Sequence, residues 1–371
     1  MAMLLEPVTF RSGAVAPNRI ALAPLTNGQS QPDGSLGDDE LSWLGRRADG
    51  GFGIVETCAA HVSQDGKAWD GELGVHDDAM LPGLRRLAAR CAVAGGLPLV
   101  QLFHGGVRAP SKVSGSQPWS ASSWHEDTPD FETPRAGSEA DIQGAIAAFA
   151  AAARRVASAG FAGVEIHGAH GYLLGQFLSR TMNQRSDAWG GELAGRARLM
   201  REVVRAVRAA VPAPFVVGVR ISPEDFGNAR GLDLDENLQL GRWLCDDGID
   251  FLHLSLWKSA DNTRKRPGEH ALPLFRAVCP PEVRLVVAGA VWTPAEAEAL
   301  LARGADMIAL GRAAIFNPDW PRRCADPDFQ PRRPPATPGE LRDLAIGPAF
   351  IRYLGRMRGL VTPPAPAPPA P

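Results

Sequence analysis

The sequence predicts an α/β chain folded as a (β/α)8 TIM barrel, a single domain with an active-site loop excursion after its third strand. Three observations carry this. Eight short β-like runs alternate with helix-period segments along 371 residues. Polar side chains recur at the predicted strand ends, where a barrel presents its chemistry. A composition of 45% hydrophobic and 22% charged residues is enough to bury one large core.

Taken in order, the strand runs are Ile20–Leu25, Phe52–Glu56, Leu97–Phe103, Phe161–His167, Phe215–Ile221, Asp250–Ser255, Val283–Gly289 and Asp306–Gly311. Between them, Leu81, Leu84, Leu87 and Cys91 mark one helical stripe, Ile146, Phe149, Ala153 and Val156 a second, and Leu199, Val203, Val207 and Ala210 a third. Thr293-Pro294-Ala295-Glu296 joins a capping-box spacing to a proline at the first helical position, and Gly304 supplies the stop. Ser138 and Asp141 repeat that start before the second stripe. From about Val107 to Gly137 the chain is rich in Ser, Pro, Trp and charge without sustained periodicity, which predicts a loop over the barrel mouth. Pro331–Gly339, with four prolines in nine residues, and the Pro/Ala tail Thr362–Pro371 are low-complexity pieces, the tail predicted disordered or PPII-like. The expected division is a barrel over 1–345, a C-terminal segment over 346–361 that is a candidate subunit contact, and the tail over 362–371.

The formal net charge of −2 and the lack of a long Lys/Arg run remove the electrostatic case for nucleic acid or an anionic membrane. A small-molecule partner is expected instead. Cys58, Cys91, Cys245, Cys279 and Cys324 are scattered without a C-x-x-C pair, so no disulfide framework, zinc site or iron–sulfur site is indicated. That pattern suits a reducing cytoplasm. The N-terminus lacks a basic region followed by a sustained apolar stretch, and no 18-residue apolar run occurs, so a cytoplasmic protein is expected.

The densest functional signal is His167-Gly168-Ala169-His170-Gly171-Tyr172, directly after the fourth strand run. Two imidazoles and a phenol within six residues of a strand end allow a metal site with Glu165 or His104, a hydrogen-bonded core pair, or an oxyanion clamp whose phenol donates a proton. At the last two strand ends, Ala288-Gly289 and Gly311-Arg312 suit phosphate: glycine lets backbone N–H approach an anion, and Arg312 can fork onto its oxygens. Thr26 after strand one, Gln101 in strand three and Arg220 in strand five would line the same mouth. A flat heterocycle with several carbonyls and ring nitrogens would satisfy all three, the lesser alternative being a structural ion pair of Arg220 with Glu165.

Assembled, these residues resemble the old yellow enzyme family of FMN-dependent ene-reductases and NAD(P)H:flavin oxidoreductases. The resemblance runs from about Val8 to Trp320. Its strongest stretches are Asn18–Thr26, Gln101–Gly106, Val164–Arg185 and Ala288–Asp319. It implies FMN at the barrel mouth, with Pro24, Thr26, Ala59 and Gln101 on the isoalloxazine and Arg220 at N1/O2. Ala288, Gly289, Gly311 and Arg312 would hold the phosphate. It further implies that His167 and His170 bind the carbonyl of an α,β-unsaturated substrate. Hydride then passes from NAD(P)H to flavin N5 and on to the β-carbon, while Tyr172 protonates the α-carbon.

The chain also departs from the family pattern. The branch with paired histidines usually has Cys where Thr26 stands and Tyr where Gly28 stands, and Trp189 replaces the usual Tyr before Gly190-Gly191. That branch often inserts an arginine from a neighbouring subunit, for which Arg352 beside Tyr353 is the candidate, so a homo-oligomer is expected. Larger relatives with an iron–sulfur cluster and added nucleotide domains do not match the length or the cysteines. Two other readings stay open: a phosphate-binding barrel isomerase or aldolase, with Lys258 the only lysine near a predicted strand end, and a non-catalytic flavin-binding protein.

Overall fold

Every predicted strand run contains a strand, and all eight pair in parallel in a ring that closes between the first and the last. The computed structural model describes residues 3–362, so the tail expected at 362–371 lies, beyond Thr362, outside the described residues. The strands are β1 (Ile20–Leu22), β2 (Ile54–His61), β3 (Leu97–Phe103), β4 (Gly163–His167), β5 (Val216–Ile221), β6 (Phe251–Ser255), β7 (Arg284–Ala288) and β8 (Met307–Leu310). Helices α1 (Asp38–Asp49), α2 (Leu81–Ala92), α3 (Glu139–Ser158), α4 (Leu193–Ala210), α5 (Leu234–Asp246), α6 (Ala271–Val278) and α7 (Pro294–Ala302) follow the first seven strands in turn.

Alternation along each strand sorts side chains between two cores. Ala21, Ile54, Leu99, Val216, Phe251, Val286, Met307 and Ala309 fill the barrel interior. Val100, Ile166, Val219, Leu254 and Val287 point the other way, into the layer shared with the helices. The two-residue strands Val8–Thr9 and Val15–Ala16 form a hairpin whose Phe10 packs on Phe251, ring centroids 6.0 Å apart, and closes the N-terminal end. Gly218 makes room for that plug, since a Cβ there would sit 2.0 Å from the Phe251 ring.

The expected capping boxes at Ser138/Asp141 and Thr293/Glu296 are both formed, and a third occurs at Thr337/Glu340. One expectation needs correction. Strand two does not stop at Glu56: a bulge between Glu56 and Ala59 resets the register, and pairing with β3 resumes through His61. The 107–137 stretch forms the expected excursion after β3. It packs beside β4's loop, where Ser120 Oγ donates to Gln176 Oε1 at 2.8 Å and Trp119 meets Phe177, and it contributes nothing to the lining of the mouth cavity.

The C-terminal segment folds back onto α1. Helix α8 (Pro348–Gly355) buries Phe350 edge-on against Trp43 at 5.0 Å, and Gly347 N–H donates to Gln29 Oε1 at 2.8 Å. Arg47, fully buried, lies 3.4 Å over the Trp43 ring and donates to the carbonyls of Ala314, Ile315 and Leu344. Among the described residues no helix is long and apolar enough to cross a membrane, and the five cysteines are free and buried. Arg47→Ala would orphan two buried carbonyls and the half-buried carbonyl of Leu344. It is expected to cost about 3 kcal/mol or more, read as a lower urea midpoint with an unchanged slope.

Candidate active site

A cavity of about 350 Å³ opens at the C-terminal ends of the strands. Pro24, Leu25 and Thr26 reach it just after β1, where Ala23 N–H still bonds Leu310 O and Pro24, lacking an N–H, ends the pairing. Ala59 enters from β2 because the bulge turns it inward opposite Gln101. Gln101 comes from β3, His167 from the last position of β4, and Arg220 from β5.

After β4 the chain must turn sharply to start the short helix Leu173–Leu178. His170 (φ 62) and Gly171 (φ 74) both take the left-handed conformation to do so. His170 is held there by its backbone N–H bond to Ser222 Oγ, 3.2 Å. A Cβ on Gly171 would lie 2.3 Å from Asn228 O, so glycine is what lets the loop after β5 close against this turn. That loop brings Phe226, Gly227 and Asn228 to the cavity, and the Asp225 carboxylate anchors it by accepting from Gly231 and Leu232 N–H.

Hydrogen bonding assigns the imidazole tautomers. His167 Nδ1 accepts from Ala169 N–H at 3.3 Å, which leaves Nε2–H as the donor. Arg220 Nη2 donates to Ser255 Oγ at 3.0 Å, so the Ser255 hydroxyl proton is free for His170 Nε2 at 2.8 Å. With Ser255 taken as the donor to Nε2, the His170 proton is assigned to Nδ1. Burial holds both imidazoles well below their ordinary value, reinforced at His167 by His170 and at both by Arg220, so each is neutral at pH 7. Their rings meet edge to face at 5.0 Å. Tyr172 stands beside them, 5.1 Å from His167 and 4.5 Å from Phe103 between ring centroids. Burial, with the charges of Glu72 and Tyr353 adding to it, pushes its phenol up to about 12.

Under the floor lies a buried polar layer. Gln101 Nε2 donates to Glu165 Oε1 at 2.7 Å, and Glu165 Oε2 faces His253 Nδ1 at 2.7 Å. Arg220 is buried above this layer and leaves Nε–H without a partner. An orphaned guanidinium N–H at a cavity wall calls for an acceptor from a ligand.

Of the expected residues, Pro24, Thr26, Ala59, Gln101, His167, His170, Tyr172 and Arg220 line this one cavity. Ala288, Gly289, Gly311 and Arg312 do not. Gly311 adjoins its rim, with open space beside it apart from Leu25 Cδ2 at 3.5 Å, and Arg312 is exposed. Gly289 is covered by the loop after β6, whose Ser259 N–H bonds its carbonyl, and it lines a separate cavity of about 250 Å³ with Lys258 and Ala290. Lys258 does not reach the main cavity, and among the described residues no lysine or carboxylate lines it. Among the described residues one cluster has metal-ligand spacing, Glu56, Glu165 and His253, and neither His167 nor His170 belongs to it.

Sequence reasoning missed Trp69, Phe226 and Asn228, which line the cavity, and Ser255 and His253 beneath it. Trp69 arrives because the Glu72 carboxylate accepts the N–H groups of Ala68 and Trp69. Tyr353, next to the subunit-contact candidate Arg352, lines this chain's own cavity, while Arg352 is exposed. One signal was available: the chain has two tyrosines, and both face the cavity. Trp189 proves to be packing, buried and donating its indole N–H to Glu139 at 2.6 Å.

The model of the NADH:flavin oxidoreductase / NADH oxidase family matches residues 3–327. The chain is 37% identical over 328 residues to the "Probable NADH-dependent flavin oxidoreductase YqiG" of Bacillus subtilis (strain 168), covering 85% of this chain and 86% of that one. It is 31% identical over 316 residues to the NADPH dehydrogenase of Bacillus licheniformis, covering 84% and 91%. The solved structure of the old yellow enzyme homologue from Zymomonas mobilis superposes with a TM-score of 0.81 at 30% identity, over 92% of this chain and 99% of that one.

His167 and His253 are 4% and 1% exposed, and burial lowers both below 6.5 in the folded state. The unfolded chain therefore takes up their protons first. Stability should be flat in these groups above pH 6.5 and fall as pH drops below it, until the lower folded value is reached. Each contributes a slope of about 1.4 kcal/mol per pH unit in that window. Urea titrations of His167→Asn should show a shallower acid limb by about that amount.

Proposed function

The chain belongs to the NADH:flavin oxidoreductase / NADH oxidase family, the family of the old yellow enzymes, and we propose that it reduces the activated C=C bond of α,β-unsaturated carbonyl compounds. It is an NAD(P)H-dependent flavin oxidoreductase with FMN as cofactor. FMN, when bound, takes a hydride from NAD(P)H and supplies it to the acceptor. The observation that carries the substrate reading is the convergence of two neutral imidazole N–H donors and one protonated phenol on a single cavity wall.

The residues present suit the cofactor. The unpartnered Arg220 Nε–H and the Gln101 amide offer polar groups to a ring rich in acceptors. Pro24, Thr26 and Ala59 are proposed to complete its seat, and Ala288, Gly289, Gly311 and Arg312 to take the phosphate. Arg312 is exposed, so its guanidinium is accessible to an anion.

His167 Nε2–H and His170 Nδ1–H are proposed to bind the substrate carbonyl oxygen and stabilise the charge that gathers there. Being neutral, the pair donates without presenting two cations side by side. Tyr172 is proposed to protonate the α-carbon. A phenol pushed up to about 12 is a weak acid, so its proton moves to a carbon already made basic by the charge the imidazoles hold in place. Arg352, exposed beside Tyr353, is proposed to meet a second copy of the chain, which sedimentation of wild type against Arg352→Glu would reveal as a loss of dimer.

The purified protein should be yellow, and after reduction by NAD(P)H it should reoxidise faster with cyclohexenone than without. Equal rates would sink the enone reading. Tyr172→Phe should leave reduction by NAD(P)H near normal while slowing enone turnover by about a hundredfold or more. Replacing His167 and His170 together should abolish the charge-transfer band that phenols raise with the oxidised flavin.

A further inference from the structure

Beneath the cavity, two carboxyl groups meet with little to separate their charge. One ligating atom each of Glu56, Glu165 and His253 lies within 4.8 Å of the others, and all three residues are buried. Glu165 has both oxygens engaged, one accepting from Gln101 and the other facing His253 Nδ1. Glu56 has no comparable support, and its Oε1 is buried without a partner.

The groups that face this pair come from every neighbouring strand: Gln101 on β3, Arg220 on β5 and His253 on β6, with His167 above on β4. Arg220 is the cation among them, since burial keeps the imidazoles neutral. Two carboxylates against one guanidinium leave one net negative charge in a low-dielectric interior, which is costly. A metal ion is a poor remedy. It would sit beside Arg220 and would have to break the Glu165–His253 bond. A proton closes the balance, and adjacent buried carboxyls that cannot both ionise hold one between them. Both Glu165 oxygens are engaged, by Gln101 and His253, whereas Glu56 Oε1 has no partner, so the proton belongs on Glu56. Burial and the Glu165 charge both push Glu56 well above the usual carboxylate range, against an opposing pull from Arg220.

We propose that the Glu56–Glu165 pair is a redox-linked proton site: it holds one proton, on Glu56, more tightly when the flavin over the cavity floor is reduced. The inference rests on the reading that FMN occupies this cavity. Gln101 and Arg220 belong both to the cavity wall and to this buried layer, so charge added above is felt by the pair below. Hydride transfer from NAD(P)H delivers two electrons with one proton, and so adds one negative charge to the ring. At pH values between the pair's proton affinities with oxidised and with reduced flavin, the compensating proton comes from solvent, binds the Glu56 carboxylate, and returns to solvent when the acceptor removes the hydride. Below that range Glu56 keeps its proton in both states. By linkage, the protonated pair raises the potential of the flavin as much as reduction tightens the proton.

The test is the midpoint potential of the bound FMN against pH, by dye equilibration of the holoenzyme. One proton per two electrons gives about 30 mV per pH unit, from a tenfold change in proton activity per unit. Wild type should show a segment near twice that slope, and Glu56→Gln, which mimics the protonated acid, should keep the single slope throughout. Infrared difference spectra of wild type should contain a carboxylic acid carbonyl band that grows on reduction, which tests the site if the variant does not fold. Indistinguishable pH profiles for the two proteins, or a wild type with one uniform slope and no such band, would overturn the proposal. Purified protein without bound FMN would instead overturn the cofactor reading on which it stands.

Discussion

The buried polar layer of the barrel is the constraint on which the site depends. Arg220, Glu165, His253, Gln101 and Glu56 sit where a barrel would ordinarily hold branched apolar side chains. Their desolvation is offset only where the members satisfy one another, as most do from four neighbouring strands: Gln101 to Glu165, Glu165 to His253, Arg220 to Ser255 and Ser255 to His170, while Glu56 Oε1 is left without a partner. Strand register makes this possible. Gln101 pairs with Glu165, and Arg220 pairs with both His167 and His253, so a one-residue slip would send these polar groups into the helix layer. The apolar layer below, plugged by Phe10 against Phe251, keeps that register by filling the lower barrel.

The same chain of bonds connects stability to chemistry. Arg220 fixes Ser255, Ser255 fixes the His170 tautomer, and the tautomer decides which nitrogen faces the cavity. A polar network that did no more than hold the barrel closed would have no reason to end on unpartnered donors. This one ends on Arg220 Nε–H. The outer supports act at longer range: Glu72 sets Trp69, and Arg47 with Trp43 seats α8 and hence Tyr353. Residues far apart in sequence thus set the width of one cavity.

Much of the fold was legible because it rests on local periodicity. Each strand run, the three helical stripes and the capping boxes at Ser138 and Thr293 follow from side-chain spacing and from caps that bond within four residues. The misreadings fell where a long-range partner decides. Strand two extends to His61 because β3 offers register after the bulge, which no pattern within Phe52–Glu56 announces. The 107–137 stretch forms the loop excursion its composition predicts, but the partners of Trp119 and Ser120 beside the β4 loop are not legible in it.

The sequence by itself determined the barrel, the His167–Tyr172 run and the polar strand ends, because strand alternation dictates which residues face inward. It also carried the family resemblance, through contiguous motifs. Only the tertiary structure decided that Tyr353, Phe226 and Trp69 share a cavity with them, and that Gly289 is covered by the loop after β6. It alone brought Glu56 to Glu165. The reason is physical: facing inward is a local property of a strand, whereas a partner across the barrel depends on closure, register and loop packing.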